Sequence, residues 1–169
     1  MKRIEFDKEI ILKTAKQRRD HKKQYGTKRL FNNQYEEDVC GIVGEYCFNK
    51  LYGYPFNDEL CFGDKGFDFD AKIGKIEIKT TFNPVANLLV KVGDLKKFLP
   101  DIIILCLYEK KNNYATFIGW TYGKSVLNSP IKKFKLTESY FYHKNRLRPM
   151  FVFDRLFWWA EESLHKEIQ

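Results

Sequence analysis

Charged and apolar side chains alternate along the stretch 67–79, in a pattern typical of the two arms of a β-hairpin. The charged positions that concern us are Asp68, Asp70, Glu77 and Lys79. Successive side chains of a strand point to opposite faces of the sheet, so these four are expected to share one face. Gly74 lies between the arms, where a tight turn needs a residue that tolerates positive φ.

A two-residue turn at Ile73-Gly74 would place Asp70 opposite Glu77 and Asp68 opposite Lys79, with opposing Cβ atoms about 4.5–5.5 Å apart. Like charges at such distances destabilise a strand pair unless a cation lies between them. Clustered carboxylate oxygens are the ligands that Mg²⁺ prefers, and a neighbouring lysine can orient an attacking water or offset charge on a phosphate. The alternative interpretation is an ordinary solvated hairpin edge.

Three motifs carry a resemblance to a known family. Asp68, eight further residues and then Glu77-Ile78-Lys79 resemble the D…(D/E)xK signature of the PD-(D/E)xK nuclease superfamily. Gly63-Asp64-Lys65-Gly66-Phe67-Asp68 is similar to the Gly-Asp-x-Gly-x-Asp lead-in of small phage and prokaryotic members. Gly41-Ile42-Val43-Gly44-Glu45 resembles the helix that supplies their additional acidic residue. The resemblance covers residues 8–155, and its one departure is Phe67, which stands where those proteins have proline.

The resemblance implies an α/β fold with a mixed central β-sheet flanked by helices, the restriction-endonuclease-like core. It also implies that Asp68 and Glu77 hold one or two Mg²⁺ ions, for which Mn²⁺ can substitute, with Glu45 and the Ile78 carbonyl as lesser ligands. Lys79 would orient the attacking water or steady the developing charge. Because its acidic neighbours tend to raise its pKa, electrostatic help is favoured over proton abstraction. Asp70 stays the alternative to Asp68 as a ligand.

The function implied is a metal-dependent DNA endonuclease, phage- or mobile-element-borne, that hydrolyses phosphodiester bonds. One alternative is a structure-selective resolvase or exonuclease of the same fold. Another is a DNA-binding module that has lost catalysis, against which the joint presence of the acidic residues and Lys79 argues. Because loops and oligomeric state set substrate shape, sequence does not separate these activities, and both a monomer and a homodimer are compatible with it.

A second match to the superfamily's signature lies at Pro100-Asp101 and Glu109-Lys110-Lys111. Between them runs a continuous apolar stretch, 102–108, which is typical of one buried strand. At about 3.3 Å per residue, Asp101 and Glu109 would lie roughly 26 Å apart at its two ends. These two carboxylates therefore cannot share a metal ion.

Positive charge is concentrated at the start of the chain. Residues 1–33 contain eleven Lys and Arg against four Asp and Glu, so +7 of the total +8 lies there. Such a surface suits a polyanion, since contacts to phosphates contribute much of DNA affinity. The residues expected to contact DNA are Lys16, Arg18, Arg19, Lys22 and Lys23, with Lys91 facing the same cleft as the acids. A solvated basic helix face is the alternative.

Length and composition limit the class of protein. At 169 residues, the chain fits one domain, with 1–33 as a basic helical extension and 34–169 as the core with a C-terminal helix. A hydrophobic content of 44% favours a globular protein. Apolar runs fall short of the roughly 20 residues that span a membrane, and the start is no signal peptide, so we expect a cytoplasmic protein, in the host if phage-borne. The four cysteines show no C-x-x-C pair, which favours buried, reduced thiols.

Periodicity predicts the elements that position these residues. Asp7 is expected to cap a basic helix that ends near Gln24, and a second helix over 34–51 would place Glu45 beside Asp38 and Gly41 at the edge of a cleft. Further strands are predicted at 88–92, 102–108 and 115–120, an edge strand at 139–143 and a C-terminal helix at 151–168. Trp158 and Trp159 of that helix are expected to pack rather than to stack on bases.

Overall fold

The computed structural model of the chain describes residues 3–24, 34–56, 66–134 and 137–163, and for 21–24 and 34 the helical backbone alone. The eight strands within these ranges are Arg3–Glu5 (β1), Phe69–Ala71 (β2), Gly74–Thr81 (β3), Leu88–Lys91 (β4), Ile102–Glu109 (β5), Tyr114–Tyr122 (β6), Ile131–Phe134 (β7) and Thr137–Tyr142 (β8). The five α-helices there are Lys8–Gln24 (α1), Gln34–Tyr52 (α2), Val92–Lys97 (α3), Gly123–Leu127 (α4) and Met150–Ser163 (α5). A short 3-10 helix spans Lys144–Arg146.

The described strands form two sheets. Five strands form a mixed sheet in the order β1-β6-β5-β3-β2, in which β3 and β5 run parallel and the other pairs run antiparallel. The other three form a small antiparallel sheet in the order β4-β8-β7. The predicted α/β class with a mixed central sheet is therefore confirmed.

The central sheet is covered on both faces, which explains the continuous apolar run of β5. Ile102 and Ile104 belong to a core formed with helices α1, α2 and α5, whereas Ile103 and Leu105 pack against Leu88 and other residues of the small sheet and short helices. Long helices thus lie on one face and the small sheet on the other. In the described part of the chain, no helix is long and apolar enough to cross a membrane.

The β2–β3 hairpin has a different register from the one predicted. Ala71 pairs with Gly74 and Asp70 with Lys75, so the turn lies at Lys72-Ile73 rather than at Ile73-Gly74. Gly74 is the first residue of β3, with φ of +121°, and a Cβ there would lie 2.8 Å from the Asp101 side chain. Close approach of Asp101 therefore accounts for this glycine. Because the register differs by two residues, each charged side chain keeps its predicted face.

Helices α1 and α2 begin and pack as the sequence indicates. The Asp7 carboxylate accepts hydrogen bonds from the main-chain N–H groups of Glu9 (2.9 Å) and Ile10 (3.3 Å), which confirms the predicted cap. Helix α2 crosses β3 at Gly44, where a Cβ would overlap the Thr80 hydroxyl and lie 2.8 Å from Ile78 Cγ2. Gly44 therefore lets α2 approach the strand closely.

Several predictions about individual strands and about the C-terminal helix differ from the structure. Strand β8 is the centre of the small sheet rather than an edge, and β1 and β7 were not predicted. Strand β7 has exposed side chains throughout, so it carries no apolar alternation. On α5, Trp159 is 71% exposed, so the expectation that it packs is wrong, whereas Trp158 is 49% exposed and its ring centroid lies 5.3 Å from that of Phe157 and 6.5 Å from that of Tyr52. Phe153 and Phe157 face the core, and the two following residues are turned away by about 100° and 200°.

Three buried cysteines, Cys40, Cys47 and Cys106, are free thiols, as predicted. Burial raises the pKa of both Cys40 and Cys47 to about 12, so these thiols are protonated and unreactive. Predictions for Cys61, for residues 63–65 of the lead-in and for the helix beyond Ser163 fall outside the described residues.

Candidate active site

The site forms where strand β2 ends and β3 continues. Strand β2 pairs with β3 over Gly74–Ile76, and it is the last strand of the central sheet on that side. Among the described strands, no other pairs with this edge of β3 from Glu77 onward.

Asp68 lies at this edge, immediately before β2. Its main-chain N–H donates to the Ile76 carbonyl at 2.9 Å, and its Oδ2 accepts a hydrogen bond from the Ile78 N–H at 2.7 Å. The carboxylate thus takes the place that a strand residue would otherwise fill. The N–H and C=O of one strand residue point to the same side, so the Ile78 carbonyl is directed to the Asp68 edge as well.

Glu77 and Lys79 lie on one face of β3, alternating with the buried Ile76 and Ile78. The Lys79 ammonium is 2.5 Å from Glu77 Oε1, and the two side chains are 30% and 15% exposed respectively. Burial lowers the pKa of Lys79, but the charges of Glu77, Asp68 and Asp94 outweigh it and raise the pKa above its ordinary value. Lys79 is therefore an ammonium ion at neutral pH and a poor proton acceptor.

Glu45 approaches Asp68 from helix α2, and a cation from helix α1 holds it. Arg18 donates from Nη1 to Glu45 Oε1 at 2.9 Å and from Nη2 to Oε2 at 2.6 Å. Burial lowers the pKa of Arg18, but the hydrogen bonds and charge of Glu45, with Asp68 and Asp38 beyond it, raise the pKa overall. Arg18, expected to contact DNA, is instead turned inward onto a predicted metal ligand.

Two further carboxylates, those of Glu77 and Glu45, act electrostatically on Asp68. The pKa of Asp68 lies well above its ordinary range because the group is desolvated and because the charges of Glu77 and Glu45 disfavour its ionisation. The hydrogen bond from Ile78 and the charge of Lys79 act in the opposite direction without cancelling this effect. A cation placed among the three carboxylates would relieve their repulsion.

These groups fit a hard divalent cation in their chemistry. Carboxylate and carbonyl oxygens are what Mg²⁺ prefers, and Asp68, Glu77 and the Ile78 carbonyl supply them at one edge. Within the described ranges, no three His, Cys, Asp or Glu side chains are already arranged as metal ligands. Arg18 and Lys79 pair with Glu45 and Glu77, so ion binding requires a rearrangement of these pairs.

Asp70, the alternative to Asp68, occupies a different environment. It is exposed and lies opposite Lys75 in the hairpin. The carboxylates that raise the pKa of Asp68 are those of Glu77 and Glu45, and Asp70 is not among them. The geometry therefore favours Asp68 over Asp70 as the acid of this site.

The second match to the signature is separated as predicted. Asp101 and Glu109 flank strand β5 at its two ends. The Asp101 carboxylate accepts the main-chain N–H of Lys75 at 2.9 Å, and the Glu109 carboxylate accepts the Tyr114 hydroxyl at 2.6 Å. Each of these carboxylates therefore has a local structural role.

Apart from Arg18, the residues expected to contact DNA fall into three groups. Lys16 and Arg19 are exposed on α1, where they line a groove with Tyr35, whose ring centroid is 5.8 Å from the Arg19 guanidinium. The side chains of Lys22 and Lys23 lie outside the described residues. Lys91 is exposed and alternates with Val90, which packs towards the central sheet, so Lys91 points away from that sheet and the expectation that it faces the cleft is wrong.

Two site residues were missed or misassigned from sequence. Arg18 follows Ile11 and Ala15 at spacings of seven and three residues, and both of those are buried. That helical period places Arg18 on the inward stripe of α1 and is a signal that could have identified it. Asp94 of α3 contributes charge next to Lys79, and no motif marked it.

The chain's membership of the PD-(D/E)xK superfamily stays a prediction. Its signature residues Asp68, Glu77, Lys79 and Glu45 do lie together, although they come from a loop, a strand and a helix. Comparison with models of known protein families, with curated proteins and with solved structures found no match.

Proposed function

We propose that the protein is a metal-dependent DNA endonuclease of the PD-(D/E)xK type, which hydrolyses phosphodiester bonds with Mg²⁺ or Mn²⁺. One observation carries this proposal: the desolvated Asp68 carboxylate lies at an edge of β3 that no other described strand covers, where the charges of Glu77, Glu45 and Lys79 all act on it. A structural sheet edge gains nothing from such repulsion. A site that binds a cation and a phosphate, in contrast, makes use of such clustered carboxylates.

Each residue has a role in hydrolysis that follows from its position. Asp68, Glu77 and the Ile78 carbonyl would hold the cation, with Glu45 as a further acid. A bound Mg²⁺ supplies polarisation of the phosphate and lowers the pKa of a coordinated water. Lys79 is already an ammonium ion, so it stabilises negative charge on the phosphate oxygens and orients the water by hydrogen bonding.

The surroundings of the site suit a nucleic acid. Helix α1 connects the site with an exposed basic surface, since Arg18 reaches Glu45 while Lys16 and Arg19 of the same helix are exposed. Cations near a cleft concentrate phosphates there and contribute affinity without sequence preference. We therefore assign Lys16 and Arg19 to contacts with the DNA backbone.

Cleavage assays on supercoiled, linear and branched DNA test this function. The protein is incubated with each substrate in Mg²⁺, in Mn²⁺ and in EDTA, beside Glu77→Gln and the matched variant Glu109→Gln. We expect supercoiled DNA to be cut only with metal, by the parent and by Glu109→Gln. Cleavage confined to branched DNA or to ends would instead favour the resolvase or exonuclease activity. Equal cleavage by Glu77→Gln, or none by the parent, would contradict the proposal.

A further inference from the structure

Arg18 places a permanent positive charge inside the acidic cluster. Its two terminal nitrogens each donate to one oxygen of Glu45, at 2.9 and 2.6 Å. The side chains of Arg18 and Glu45 are 25% and 16% exposed, so the pair is largely shielded from water. Bidentate pairs of this kind are among the stronger hydrogen-bonded contacts in proteins, and a guanidinium does not lose its proton.

The field of Arg18 extends beyond its partner. Asp68 and Asp38 both act on it electrostatically, so the guanidinium lies within range of three acids from two different segments. Lys79 neutralises Glu77 on the other side of Asp68. Asp68 is therefore flanked by two carboxylates, each of which already has its own cation.

The pairing of Glu45 with Arg18 limits which ligands a second metal ion could use. Two ions that act together on one phosphate lie about 3.5–4 Å apart and share carboxylate ligands. The α2 carboxylate that acts on Asp68 is that of Glu45, and Arg18 engages both of its oxygens, so a second ion that used Glu45 would have to displace Arg18. At the ion that Asp68, Glu77 and the Ile78 carbonyl would hold, the competing cation is Lys79, which engages Glu77 at Oε1, whereas Arg18 engages both oxygens of Glu45.

Formal charge leads to the same conclusion. With every acid ionised, as in a cation-bound site, Asp38, Glu45, Asp68 and Glu77 would carry four negative charges, against two positive ones on Arg18 and Lys79. The balance of −2 matches one divalent cation. If Asp94, near Lys79, is included, the balance of −3 is still smaller than the four positive charges of two ions.

We propose that Arg18 takes the place of a second metal ion, so that each chain binds one divalent cation and uses the guanidinium as the other positive charge beside the substrate phosphate. This inference rests on the proposed metal site. The planar fork of Arg18 matches phosphate oxygens as well as it matches Glu45, so an incoming phosphate can share it. The number of ions bound at the site would then be set by Arg18 of helix α1 as well as by the carboxylates.

Mn²⁺ binding in the absence of DNA tests the inference. Equilibrium dialysis and the electron paramagnetic resonance spectrum of bound Mn²⁺ give the number of ions per chain, independently of cleavage. We expect one uncoupled ion in the parent, in Arg18→Lys and in Arg19→Met, which removes an exposed charge from the same helix. Arg18→Met should bind two ions, with spin coupling between them.

Each result has a definite consequence. Two ions in the parent, or a single ion in a folded Arg18→Met protein, would overturn the role of Arg18 while leaving the nuclease proposal intact. One ion in the parent without any DNA cleavage would overturn the nuclease proposal and leave the metal count intact. No Mn²⁺ binding at all would overturn both. If circular dichroism shows that Arg18→Met is unfolded, the parent's stoichiometry decides.

Discussion

Two aspartates bind the same strand in the same way, yet only one of them lies in a candidate active site. Asp68 accepts the N–H of Ile78 at 2.7 Å on one edge of β3, and Asp101 accepts the N–H of Lys75 at 2.9 Å, three residues earlier. Asp101 is exposed, and its side chain packs against Gly74. Asp68 is surrounded by the charges of Glu77, Glu45 and Lys79. Accepting a strand N–H is therefore a structural role that both aspartates share. The charges of further residues around Asp68 are what distinguish the candidate site.

Two lysines of β3 repeat this contrast. Lys75 and Lys79 are four residues apart on one strand, so their side chains share a face. The Lys75 ammonium lies 5.0 Å from the ring centroids of both Phe67 and Phe98, in a cation–π contact. The Lys79 ammonium pairs with Glu77. Lys75 is thus a matched control for Lys79.

The largest difference is expected in cleavage rate. Lys79→Ala should reduce single-turnover DNA cleavage by about 10²–10³-fold, because the variant has no charge aimed at the developing oxyanion. DNA affinity should change little if the ammonium acts mainly in the transition state. Lys75→Ala, measured in parallel, should stay within a few-fold of the parent. Cleavage by Lys79→Ala at the parent's rate would remove Lys79 from the active site.

Metal-dependent stability should separate the two aspartates. Binding to the native state alone adds about 2.7 kcal/mol at a hundredfold excess over Kd. The melting temperatures of the parent and of Asp101→Asn should therefore rise when Mg²⁺ or Mn²⁺ is added, whereas that of Asp68→Asn should not change. Each asparagine keeps an oxygen that can accept the strand N–H, so the cap survives in both variants. A shift retained by Asp68→Asn would count against the proposed ligand set.

The pH dependence of stability, measured without metal, should also distinguish Asp68 from Asp101. The pKa of Asp68 is raised in the folded state by burial, Glu77 and Glu45, so the native protein binds this proton more tightly than the unfolded chain does. The free energy of unfolding should therefore fall as pH rises from the ordinary aspartate range through the raised pKa of Asp68. Urea titrations across this window should show that fall in the parent and in Asp101→Asn. Asp68→Asn should flatten it, and parallel curves for parent and Asp68→Asn would contradict the assignment.

The smallest effect is expected in the salt dependence of DNA binding. Lys16 and Arg19 lie on the helix that reaches the Asp68 site, whereas Lys124 is exposed on α4, next to Gly123, whose N–H donates to the Asp101 carbonyl. Changing both Lys16 and Arg19 to Gln should reduce the slope of log K against log salt by about 1.8, or about 0.9 for each phosphate that the variant no longer neutralises. Lys124→Gln should leave the slope unchanged. An unaltered slope in the double variant would leave α1 as a solvated basic helix.

Local patterns alone determined a large part of this protein. The alternation along 67–79 sets which side chains of the hairpin share a face, and it holds although the turn lies one residue earlier than predicted. The Asp7 cap, the extent of α2 and the strand over 102–108 also follow from sequence. Periodicity, capping and continuous apolar runs are properties of neighbouring residues, so no tertiary information is needed to recognise them.

The remaining features depend on residues distant in the chain, and the tertiary structure decided them. Gly74 owes its position to Asp101, which comes 27 residues later. Arg18 pairs with Glu45, likewise 27 residues away, because α1 and α2 pack together and bring the two side chains within 3 Å. Lys91 is directed away from the cleft by the small sheet, and Trp159 is exposed because Phe153 and Phe157 already fill the core. Sequence indicates which groups are charged, but only packing determines which charges meet.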